Sequence, residues 1–205
     1  MEIMKMNENI HRITLPYKDI FTTVYTVKTD KGVLLFDAAS YDTDLEQYIQ
    51  PMLDELKITA EDLKYIFISH NHTDHAFGID RLMAEYPDKR VILCAHWFDM
   101  AQESEDFRRL LAEDERIVCL FCGHNHVSKI SSTGDECGGK PILYTGNYSY
   151  SGEKNPVRCL CGYRELIITE EGVRSKYIVP AHTYQMEKVR FTTEYAEQDE
   201  LCITF

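Results

Sequence analysis

The sequence predicts an α/β fold, and three observations carry that prediction. Apolar runs of strand length alternate with helical patterns through the middle of the chain: strand 64–69, helix 77–86, strand 90–95, helix 102–112, strand 117–122. Such alternation favours parallel strands joined by helical crossovers. Short strand-like segments precede this middle, and a more antiparallel set over 141–179 follows it. A length of 205 residues with 44% apolar side chains is enough for one domain with a sizeable core.

The elements follow in order. Segments 10–15, 23–27 and 32–36 read as strands, the last running into Phe36-Asp37-Ala38-Ala39. A helix over 43–56 follows, capped by Asp42 or Thr43, with Leu45, Tyr48, Ile49, Met52 and Leu53 on one face. Pro51 falls inside it and predicts a kink. Strand 64–69 ends in the loop His70-Asn71-His72-Thr73-Asp74-His75, before helix 77–86. The turn at Pro87-Asp88 is too short to separate two domains. Strand 90–95 delivers His96, with Trp97 and Phe98 behind it as pocket walls or core. Met100, Phe107, Leu110 and Leu111 give helix 102–112 an apolar side. Strand 117–122 ends in Gly123-His124-Asn125-His126. The stretch 131–139 reads as the clearest flexible segment and 151–156 as the next; strands near 142–147, 162–168 and 172–178 close the fold. Residues 181–205 read as a C-terminal extension.

Three histidines and an aspartate within positions 70–75 point nitrogen and oxygen donors at one small volume, as a divalent metal requires. The pattern His70-x-His72-x-Asp74-His75 resembles the metal-binding motif of the metallo-β-lactamase superfamily, and the resemblance covers about 8–90. It implies that His70 and His72 hold one metal and that Asp74 with His75 holds the other. Asp74 would also orient or deprotonate an attacking water, its catalytic role. The strand-end His96 and Gly123-His124-x-His126 resemble the second half of a calcineurin-like metallophosphoesterase, over about 88–180. There the resemblance implies that His96 and His124 share a metal and that His126 reaches its neighbour. Together the two resemblances imply a four-layer αββα sandwich, a hybrid of two half-domains, whose seven ligands hold two divalent ions if the two clusters meet. Zinc is the first expectation, with manganese or iron as alternatives. Neither ligand set is complete: Asn147 stands where a bridging carboxylate is sought, and His182 resembles a last ligand segment.

Composition bounds the remainder. A formal charge of −12 excludes an extended nucleic-acid surface but admits a small phosphorylated substrate at a metal site. No apolar run is long enough to span a bilayer. Seven cysteines, an odd number, suggest reduced thiols in the cytoplasm. Cys119-x-x-Cys122 and Cys159-x-Cys161 lack ribbon spacing and read as buried thiols before zinc ligands. His11 reads as a strand surface residue. The resemblances overlap on a metal-dependent hydrolase of phosphoester bonds. Hydrolysis of another ester, thioester or amide is one alternative, and a catalytically incomplete metal-binding protein is the other. Oligomeric state stays open.

Overall fold

Alternation of buried and exposed side chains builds the first strands. The structure, a computed structural model, describes residues 2–70, 73–124, 127–146, 162–169, 171–178 and 200–204. The chain folds as two compact units, Met1–Cys94 and Ala95–Phe205.

In the first unit, strands β1 (Ile3–Lys5), β2 (Ile10–Tyr17), β3 (Ile20–Thr29) and β4 (Gly32–Phe36) form an antiparallel meander. Ile13, Leu15 and Tyr17 of β2 are buried while Thr14 and Pro16 between them are exposed, the period-two pattern of a sheet with one covered face. Strand β5 (Leu63–Ile68) pairs parallel to β4, and β6 (Arg90–Ala95) pairs parallel to β5. Tyr65, Ile66, Phe67 and Ile68 are all buried in succession, because a parallel strand is covered on both faces. The expected helix over 43–56 splits into a wide π turn at Leu45–Ile49 and helix α1 (Gln50–Glu55). Pro51 explains the split: in the first turn of α1 its missing N–H costs nothing, yet it cannot close an α turn onto Gln47. Leu45, Ile49, Met52 and Leu53 face the core as expected, whereas Tyr48 is only half-buried.

The expected cap is corrected. Asp44, not Asp42 or Thr43, stands at the N-cap, and its carboxylate accepts from the preceding Ser40 and Tyr41 amides rather than from the helix. After β5 come a short helix α2 (Thr73–Ala76) and helix α3 (Ile79–Glu85), where one helix over 77–86 was expected. His11 lies half-buried on β2, and its Nδ1 is buried with no hydrogen-bond partner among the described residues. Burial first, then Lys28 and Lys5, hold its pKa below the ordinary imidazole value.

In the second unit, helix α4 (Glu105–Glu113) starts at Ser104, whose hydroxyl accepts from the Phe107 amide at 3.1 Å. Leu111 alone of its expected apolar side is fully buried; Leu110 is 42% exposed. Strand β7 (Ile117–Cys122) pairs parallel to β9 (Pro141–Tyr144), and β8 (Ile130–Ser132) pairs antiparallel to β9. A second sheet joins β10 (Tyr163–Ile168), β11 (Gly172–Ile178) and β12 (Glu200–Thr204) antiparallel. Strand β12 therefore gives a structural role to part of the expected C-terminal extension.

The segment 131–139 differs from expectation. Buried Thr133 donates to the Cys137 carbonyl and accepts from the Lys140 amide, so a Ser- and Gly-rich composition folds into an ordered turn. Arg164 ties β10 to its surroundings by donating to the Tyr144 carbonyl and to the hydroxyls of Ser175 and Ser128. Among the described residues no helix is long and apolar enough to cross a membrane.

Candidate metal centre

The end of β4 turns sharply because Asp37 (φ 69°) and Ala39 (φ 60°) both adopt left-handed backbone. Asp37 first extends the β4–β5 pairing, its amide donating to the Phe67 carbonyl at 2.7 Å. Its buried carboxylate then accepts from the Ser69 amide (2.7 Å) and the Ser69 hydroxyl (3.0 Å). The same carboxylate meets His75 Nδ1 at 2.8 Å. A carboxylate only accepts, so Nδ1 is the ring's donor to Asp37, and Nε2 is the nitrogen that faces Asp74.

Backbone contacts fix α2 beneath this arrangement. Ala38 N–H donates to the His75 carbonyl (2.8 Å), and Thr22 Oγ1 donates to the Asp74 carbonyl (2.6 Å). Gly78 lies so close to the Ala38 carbonyl that any Cβ there would overlap it. The result places His75 Nε2 3.2 Å from Asp74 Oδ2. Two ligands of one tetrahedral ion with bonds of about 2.0–2.1 Å lie ~3.3 Å apart, so the pair fits one edge of a zinc site. Side-chain exposures of 20% for His75 and 17% for Asp74, against 7% for Asp37, separate accessible donors from a buried support. His70 stands beside them, its ring centroid 4.3 Å from that of His75 and its Nδ1 3.0 Å from Ser69 Oγ. His72 lies outside the described residues.

The second cluster is built differently. His96 follows β6 and His124 follows β7, and both rings are exposed. His124 Nδ1 is 2.9 Å from His96 Nε2, with the rings edge to face. Gly123 N–H donates to the His96 carbonyl at 3.1 Å, which brings the two strand ends together. His124 is held at φ 62°, a left-handed conformation rare for a residue with a side chain. Trp97 is 44% exposed and lies 5.5 Å from the His124 ring, so it forms a wall rather than core. Among the described residues no carboxylate pairs with either ring. His126, Asn147 and His182 lie outside the described residues.

Thiols contribute little. Burial, aided by the nearby charge of Asp37, pushes Cys94 up to about 12, and burial pushes Cys122 up to about 11. Cys119 and Cys122 are buried three positions apart on one strand, so their side chains leave on opposite faces and cannot share an ion. Cys159 and Cys161 lie outside the described residues. Among the described residues no three His, Cys, Asp or Glu side chains form a complete metal-holding group. Asp37 and Ser69 are the contributors that sequence reasoning left without a role. Their signal was the strand-ending Phe36-Asp37 and the serine directly before His70.

The sequence model of the metallo-β-lactamase superfamily matches residues 17–182. The chain belongs to the metallo-β-lactamase superfamily. That match runs across the segment resembling a phosphoesterase, so one family spans both histidine clusters of this metallo-β-lactamase relative. Among solved structures it is similar to FEZ-1 metallo-β-lactamase from Legionella gormanii, with 12% identity, 87% of this chain and 63% of that one covered, and a TM-score of 0.45. It is also similar to a Cronobacter sakazakii metallo-β-lactamase with a HARLDQ motif, at 23% identity, 55% and 34% coverage, and a TM-score of 0.39. A third is FIM-1 from Pseudomonas aeruginosa in its mono-zinc form, at 17% identity, 46% and 42% coverage, and a TM-score of 0.37. The chain spans from 34% to 63% of the length of these three proteins. No curated protein matches it in sequence. Its mixed α/β architecture with a large sheet agrees with the α/β sandwich of the superfamily.

Proposed function

We propose that the chain is a metal-dependent hydrolase of phosphoester bonds, acting on a small phosphorylated substrate in the cytoplasm. The observation that carries this reading is the Asp74–His75 edge of 3.2 Å, backed by a buried carboxylate on the far nitrogen of His75. A bound divalent ion, zinc first, would supply Lewis acidity and a water acidic enough to ionise near neutral pH. His70, His72, Asp74 and His75 are its proposed holders in the first unit, and His96, His124 and His126 form a second proposed ligand set. Asp37 holds the His75 proton at Nδ1 and keeps Nε2 as a donor of electron density. The second oxygen of Asp74 would orient the attacking water and accept its proton. Seven cysteines, an odd number, support a reducing compartment.

The phosphoester preference rests on the overlap of the two motif resemblances. Its test is hydrolysis of bis(p-nitrophenyl) phosphate with added zinc or manganese, beside a lactam and a thioester. Turnover of the phosphodiester, lost by at least ~100-fold in Asp74→Asn, is the expected result. Turnover of the lactam or thioester alone would replace the substrate class and keep the hydrolase. A second reading, a metal-binding protein without catalysis, is favoured by the asparagine at position 147. Metal uptake with no turnover above Asp74→Asn on any substrate would establish it.

A further inference from the structure

At the opposite end of β4 from Asp37 lies a hollow of about 430 Å³ lined by Lys28, Lys31, Lys57 and Lys64. We propose that this hollow is a second binding site, for a small phosphorylated anion, separate from the candidate metal centre. Four of the chain's 22 basic side chains gather here in a protein of net charge −12. The lining also holds Asp30, Glu61 and Asp62, which leaves one net positive charge from four lysines and three acids. Among the described residues none of these four ammonium groups comes within 4.0 Å of a carboxylate, although three carboxylates lie beside them. Asp62 is turned away to Thr59, accepting from both its amide and its hydroxyl at 2.9 Å. Lys28 is anchored by donating to the Leu56 carbonyl at 3.1 Å, while Lys31, Lys57 and Lys64 are exposed. The volume lies within the range of small-molecule sites, and lysine is a common point-charge partner of phosphate.

The position of Lys57 is the most telling detail. Helix α1 ends in a Schellman motif: Lys57 N–H donates to the Asp54 carbonyl and Ile58 N–H to the Leu53 carbonyl. The first residue after the cap of such a motif is left-handed, and glycine is the usual occupant. Here Lys57 takes that conformation at φ 54°. A strained lysine stands where glycine would fold more easily, and its side chain lines the hollow. Gly32, in the lining, lets the stem of Lys64 and the Asp62 carbonyl pack against bare backbone. With a rise of ~3.3 Å per residue, the four steps from Gly32 to Phe36 put the hollow about 13 Å from the metal-centre end. The site therefore does not rest on the hydrolase reading.

The test is an amide chemical-shift titration of the full chain with sodium pyrophosphate, matched against sodium chloride at equal ionic strength. Saturable shifts at Gly32, Val33 and Ile58, weakened at least ~tenfold in Lys57→Gly with Lys64→Ala, are expected. Lys57→Gly alone is expected to weaken binding while its Tm holds or rises, because it relieves the left-handed strain. Shifts that chloride reproduces, that fall only at Asp74 and His75, or that survive the double variant unchanged would overturn the proposal.

Discussion

The two histidine clusters use the same residue types and are built to different standards. In the first, Asp37 is buried and meets the Nδ1 of His75, and the Ala38 amide and the Thr22 hydroxyl clamp the carbonyls of α2. In the second, two exposed imidazoles meet each other beside Trp97, with no carboxylate on either among the described residues, and one sits on left-handed backbone. An imidazole whose second nitrogen is held by a carboxylate has a fixed tautomer and orientation. An imidazole paired with another imidazole can share the proton either way round. The difference teaches that a strand-end histidine gains a fixed orientation where a buried carboxylate backs it.

Substitutions can break or sharpen this contrast. The largest effect is expected at Gly78, where an added methyl group would overlap the Ala38 carbonyl. Gly78→Ala is expected to cost about 3 kcal/mol, measured by urea denaturation; a loss below ~1 kcal/mol would show that the clamp yields. Asp37→Asn keeps the shape of the support and removes its charge. Metal affinity, read by competition with a chromophoric chelator, is expected to fall about 10–100-fold, and unchanged affinity would remove Asp37 from the centre. In the second cluster His124→Gly is expected to leave stability equal or higher by up to about 1 kcal/mol, since glycine accepts φ 62° without strain. Gly123→Ala is expected to be the mildest. A methyl group there would meet Thr145 Oγ1 at 3.6 Å, an ordinary contact, so stability is expected to hold within ~0.5 kcal/mol. Equal losses for Gly78→Ala and Gly123→Ala would erase the contrast.

Much of the framework was legible in the sequence because apolar runs define strands by themselves. The runs over 90–95 and 117–122 form strands with the expected bounds, and both deliver a histidine to the loop beyond. The five apolar positions from Leu45 to Leu53 predicted the helical face but not the π turn, which depends on the missing N–H of Pro51. The stretch 131–139 misled because composition counts polar side chains, while their mutual hydrogen bonds decide order. Thr133 is buried and satisfied, and Cys137 is fully covered. The grouping of His70, Asp74 and His75 could be read from spacing. Their support could not, because Asp37 and His75 are 38 positions apart and meet only through the parallel register that sets Phe36 beside Phe67.

The clamp around α2 has a consequence for the order in which this region comes together. Ala38 N–H reaches the His75 carbonyl, and Gly78 N–H reaches the Ala39 carbonyl at 3.4 Å. Each bond closes a loop of nearly forty residues, so neither can form before β4 and β5 have paired. The helix turn bearing Asp74 and His75 thus assembles as a late event that depends on the sheet. In hydrogen–deuterium exchange, the Ala38 amide would then open together with the β4–β5 ladder rather than with the surface loops.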